Sequence, residues 1–68
     1  MKLEYDQDAD AAYLYLKYPL KDGECKKTLE INENLIVDFD ASGKLIGVEI
    51  LHARKVLDKK VLEEALAV

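Results

Sequence analysis

Leu35-Ile36-Val37-Asp38-Phe39-Asp40-Ala41-Ser42-Gly43-Lys44-Leu45-Ile46-Gly47-Val48-Glu49-Ile50-Leu51 decides the fold. Its outer parts, 35–40 and 45–51, alternate apolar and polar side chains with the period of two that marks a strand. Between them Asp40-Ala41-Ser42-Gly43-Lys44 reads as a hairpin loop, with Gly43 free to take a positive φ. Two strands joined this closely pair antiparallel. Leu35, Val37 and Phe39 then share one face with Ile46, Val48 and Ile50, while Ile36, Asp38, Asp40 and Glu49 point the other way.

Working outward, Asn32-Glu33-Asn34 is a turn signal, and 26–31 alternates with Leu29 and Ile31 on one face. Asp22-Gly23 is a second turn, preceded by Pro19, which cannot donate to a sheet ladder. Residues 11–18 carry Tyr13, Tyr15 and Tyr18 interleaved with Leu14 and Leu16. Asp6 to Asp10 is polar and turn-like, and 2–5 alternates again. In the tail, Ala53, Val56, Leu57, Val61, Leu62, Ala65 and Leu66 recur at three- and four-residue steps, the pattern of an amphipathic helix. Asp58 is a good N-cap there, which predicts a short turn at 53–57 and a helix at 58–67. The expected architecture is α+β over one domain, 1–68: a five-stranded antiparallel meander with the C-terminal helix, within 53–67, packed on one face.

The 68 residues, 50% hydrophobic and 35% charged, suit one small domain. A single cysteine, Cys25, excludes an internal disulfide, and no Cys/His cluster supplies a metal staple. Such a small core therefore leads to the expectation of a homo-oligomer. The longest apolar run, Ala11 to Leu16, is far shorter than a membrane-spanning helix. The start has no signal-peptide h-region, so the expected location is cytoplasmic. The net charge of −4 argues against nucleic acid as a partner and suits a basic protein.

Candidate chemistry is sparse. Asp38, Asp40 and Glu49 share an acidic sheet face and are weak candidates for a metal site or acid–base work, the alternative to a binding role. Asp6, Asp8 and Asp10 open like a calcium loop, but Ala11 and Lys17 stand where glycine and glutamate are needed. His52, the sole histidine, suits a strand-to-helix junction. Cys25 lacks a Cys-x-x-Cys companion. Arg54, Lys55, Lys59 and Lys60 make a small basic cluster; an accessory role on nucleic acid is the further alternative. No catalytic group and no cofactor site is assigned. The face carrying Tyr13, Tyr15, Ile36 and Leu45 is the expected interface, since tyrosine joins an apolar body to a polar tip.

The stretch Tyr5-Asp6-Gln7-Asp8-Ala9-Asp10-Ala11-Ala12-Tyr13-Leu14 and the later stretch Val37 to Ala53 resemble the prokaryotic domain-of-unknown-function 2283 family. Its pattern falls here on Tyr5, Asp6, Ala9, Asp10, Ala11 and Tyr13, then on Asp38, Asp40, Gly43, Gly47, Glu49 and Ile50. The resemblance implies no activity or cofactor. Some members look like small partners encoded beside putative toxins, which implies an antitoxin-like role. Physically, Asp6 and Asp10 suit a turn fixed by side-chain-to-backbone bonds. Gly47 leaves room for a crossing group, and Glu49 lacks a folding reason.

Overall fold

Asp40 explains the central hairpin. Its Oδ1 accepts bonds from the Ser42 and Lys44 amides, both at 2.9 Å, and from the Ser42 hydroxyl at 2.8 Å. Gly43 completes the turn at φ 85°. The computed structural model describes residues 1–66. It contains β1 (Lys2–Asp6), β2 (Ala11–Tyr15), β3 (Lys27–Glu30), β4 (Leu35–Phe39), β5 (Leu45–Leu51), α1 (Ala53–Val56) and α2 (Lys59–Leu66). Asp58 caps α2 as expected, its Oδ1 accepting from the Lys60 amide at 2.8 Å. The helix expected within 53–67 is thus a short turn followed by a longer helix; the end of that range lies outside the described residues.

The five strands are all antiparallel and belong to an α+β fold, in the order β1-β2-β5-β4-β3. The order departs from a plain meander at one step, because β2 pairs with β5 and not with β3. The physical reason lies in the tyrosine stretch. It was expected to be strand through residue 18, but β2 ends at Tyr15. Residues 16–26 then form a connection long enough to carry the chain to the far edge. There β3, short and exposed throughout, stands at the rim, while β5, the longest and most buried strand, takes the centre.

The register divides the side chains cleanly. Tyr5, Ala12, Ile50 and Leu35 line up across one face, followed by Leu3, Leu14, Val48, Val37 and Leu29. The helices lie on this face, α1 against β5 and α2 against β1. Ala12, Ile50, Ala53 and Leu62 form the buried cluster, flanked by Leu3, Tyr5, Leu35, Val48 and Leu57. The helical layer stops there. Leu29 and Ile31, read from the sequence as core, remain 41% and 58% exposed. An eight-residue helix is only about 12 Å long and cannot roof a five-stranded sheet.

Candidate functional site

On the face away from the helices, one row crosses the sheet through Lys2, Tyr15, Gly47, Asp38 and Thr28, and the next through Glu4, Tyr13, Glu49, Ile36 and Glu30. Tyr13 leaves its own row and lies over Gly47. A Cβ on Gly47 would sit 2.1 Å from the Tyr13 hydroxyl oxygen and 2.6 Å from Cζ. The room expected at Gly47 is therefore filled by the tyrosine ring. Having crossed β5, the Tyr13 hydroxyl donates to Asp38 Oδ2 at 2.6 Å, and Thr28 Oγ1 donates to Asp38 Oδ1 at 2.7 Å. The Cys25 sulfur stands 3.5 Å from Thr28 Oγ1. A chain of side chains so links β2, β4 and β3 above the central strand.

Burial alone would push the Asp38 carboxyl up, but the bonds from Tyr13, Thr28 and Cys25 outweigh it and hold it below the usual carboxylate range. Tyr13 is pushed up, by burial first and by the Asp38 carboxylate second. Hence Tyr13→Phe is expected to let the Asp38 carboxyl rise toward its ordinary value in an NMR titration. An unmoved Asp38 would show that Tyr13 is not its controlling donor.

The second constellation sits where the sheet meets the helices. Asp6 does what its position in the turn suggests, accepting from the Asp8 and Ala9 amides at 3.0 and 3.3 Å. Asp10 does something different. It stands in the left-handed region at φ 53° and points out of the turn. Its Oδ1 accepts from the Tyr5 hydroxyl at 2.8 Å and from the Arg54 amide at 3.0 Å, while its carbonyl accepts from the Ala53 amide at 2.9 Å. Arg54 returns the contact by donating to the Gln7 carbonyl at 3.1 Å. His52, at φ 55°, turns the chain from β5 into α1, its Nδ1 3.1 Å from Asn34 Oδ1. That is the junction role expected of it. Tyr5, Asp10 and Arg54 thus clamp the first hairpin to α1, while Asp6 fixes the hairpin turn.

The acidic candidates separate. Asp38 has both oxygens occupied, and Asp40 is spent on its turn. Asp40 is held low, first by the Lys44 amide and then by Ser42. Glu49 makes no hydrogen bond or ion pair among the described residues, half-buried between Tyr13 and Ile36. Among the described residues no three His, Cys, Asp or Glu side chains are placed to hold a metal ion together. Of the expected interface residues, Tyr13, Tyr15 and Ile36 share the acidic face, with Tyr13 and Tyr15 ring centroids 4.7 Å apart. Leu45 lies beside a register shift at Asp38/Phe39 and is 43% exposed. Ala9, Ala11 and Ile50 are turn and strand positions of the same motif. No described helix is long and apolar enough to cross a membrane.

Sequence reasoning missed Thr28 and Arg54. Thr28 was recoverable, since it shares a face and a row with Asp38; Arg54 was read only as part of a basic cluster. The family described as "Protein of unknown function (DUF2283)" matches residues 2–54, which takes in both constellations and ends within α1. An uncharacterized protein of Methanocaldococcus jannaschii is 36% identical over 59 residues, 85% of this chain and 46% of that protein. The chain spans about half the length of that relative. No solved structure matches it significantly.

Proposed function

We propose that this chain, which belongs to the DUF2283 family, is a non-enzymatic binding protein whose acidic sheet face docks a basic protein. The observation that carries the reading is the second row of that face. Glu4, Glu49 and Glu30 share that row with Ile36, and the Tyr13 ring leans from it over Gly47 in the adjoining row, so negative charge borders apolar and aromatic surface. Such a surface steers a positive partner and offers it contact area. Glu49, the motif carboxylate left without an internal bond, is the natural centre of it. Asp38 and Asp40 already serve the fold as acceptors, which favours binding over metal or hydrolytic chemistry on this face. The antitoxin-like role implied by the family resemblance is one form of this reading, a small acidic protein covering a basic one. A reducing cytoplasm suits the exposed Cys25 thiol.

Affinity purification from the native host tests it, with the wild-type chain and a Glu4→Lys/Glu49→Lys variant as baits. A basic protein held by the wild type should bind the variant at least about tenfold more weakly, and the wild-type complex should weaken with salt. A bait that recovers no protein, or recovers the same ones after the reversal, overturns the proposal.

A further inference from the structure

The rim of the sheet at β3 has the chemistry of a self-complementary interface. Every residue of β3 is exposed, and no described element lies beyond it. The other rim, β1, has α2 against it. The Ile31 amide donates to the Leu35 carbonyl at 2.8 Å, and the register sets Leu29 against Val37 and Lys27 against Phe39. In an antiparallel ladder, hydrogen-bonded and non-hydrogen-bonded positions alternate. Ile31, Leu29 and Lys27 therefore spend their main-chain groups on β4, and the Lys26 amide joins them by donating to the Phe39 carbonyl at 2.9 Å. Thr28 and Glu30 turn their N–H and C=O groups outward, unpaired. A bare edge of this kind is a template for another strand.

Charge along the edge says which strand. It runs Lys26-Lys27-Thr28-Leu29-Glu30-Ile31-Asn32-Glu33, basic at its start and acidic at its end. A copy of the same strand laid parallel would set lysine beside lysine and glutamate beside glutamate. Laid antiparallel, it sets the basic end of each against the acidic end of the other. We propose that β3 pairs antiparallel with β3 of a second copy, about a two-fold axis at Thr28 that places Lys26 opposite Glu30, joining two sheets into one of ten strands. Such an axis stands perpendicular to the sheet and keeps like faces together. The apolar halves that the helices leave open, with Leu29 and Ile31 exposed, then adjoin across the seam. Lys26 and Glu30 have no side-chain bond within the described residues, so both are available. This association shares Glu30 with the acidic row but leaves Glu4 and Glu49, the residues reversed in the partner test, untouched, and self-association of the purified chain is read without any basic protein present.

Sedimentation equilibrium from low micromolar to millimolar concentration tests it with four proteins: wild type, Lys26→Glu, Glu30→Lys and the double swap. The wild type should be a monomer–dimer equilibrium. Each single reversal acts twice across the two-fold axis and should raise the dimer dissociation constant by about tenfold. The double swap restores opposite charges and should return it to near the wild-type value. Hydrogen exchange at the Thr28 and Glu30 amides should slow only where the dimer is populated. A wild type monomeric throughout, a dimer indifferent to the single reversals, or a double swap that does not recover overturns the proposal. All three variants change exposed side chains, and circular dichroism confirms that each remains folded.

Discussion

Gly47→Ala should lower the unfolding free energy by about 2–4 kcal/mol, the sum of overpacking and a lost hydrogen bond to a carboxylate. The added methyl would sit 2.1 Å from the Tyr13 hydroxyl oxygen, a separation no two such atoms sustain. The ring can escape only by swinging off β5. Doing so gives up its bond to Asp38 and leaves that carboxylate with Thr28 as its remaining hydroxyl donor on the sheet. For a chain of 68 residues the whole stability is about 3–10 kcal/mol, so this one methyl threatens the fold. Urea titration of Gly47→Ala in the wild-type and Tyr13→Ala backgrounds isolates the cause. With Tyr13 truncated the alanine has space, and the substitution should cost well under 1 kcal/mol, since alanine is no worse than glycine in a strand. An equal cost in both backgrounds would mean that the glycine is needed for its backbone and not for the ring.

Much of this is legible in the amino-acid sequence alone. The alternation in 35–40 and 45–51 identifies two strands and their faces, because a half-buried strand has no other way to satisfy both water and core. The Asp58 cap and the Gly43 turn follow from local chemistry alone. The strand order was not legible, because it depends on where β2 stops. Tyr15, Leu16, Lys17 and Tyr18 look as strand-like as the residues before them, yet regular pairing stops at Tyr15 and Gly47, and beyond it the Leu16 and Lys17 amides both turn to the Ile46 carbonyl. The site shows the same division. Room at Gly47 could be read from a glycine inside an alternating strand. The occupant could not, since Tyr13 reaches it from a neighbour that the sequence order did not reveal. Asp10 was placed in the right turn with the wrong reach. Its bonds go to Tyr5 and to Arg54, forty-four positions away, and no local pattern encodes that partner.

Asp10→Ala should lower the melting temperature by about 10 °C, the larger effect expected from a loss spread over several bonds in a small domain. Alanine removes the acceptor shared by the Tyr5 hydroxyl and the Arg54 amide. It also has to hold a left-handed φ of 53°, which aspartate and asparagine tolerate and alanine resists. Asp10→Gly keeps the backbone at ease and loses only the bonds, so it should melt above Asp10→Ala. Asp10→Asn keeps the backbone and an oxygen acceptor and should melt above both. What asparagine lacks is the charge, and pH exposes that part. Burial opposes ionisation of Asp10, but the Tyr5 hydroxyl, the Arg54 amide and the Arg54 and His52 charges prevail, holding its carboxyl below the ordinary value. A depressed pKa adds stability above the unfolded pKa, near 4, and that stability is lost as pH falls through the folded value. The melting gap between wild type and Asp10→Asn should therefore stand open at pH 7, narrow as pH falls past the unfolded value near 4, and close only below the lower folded value, where both side chains are neutral. A gap that stays constant from pH 7 to acid would place the stabilisation in hydrogen-bond geometry alone and remove the charge from the clamp.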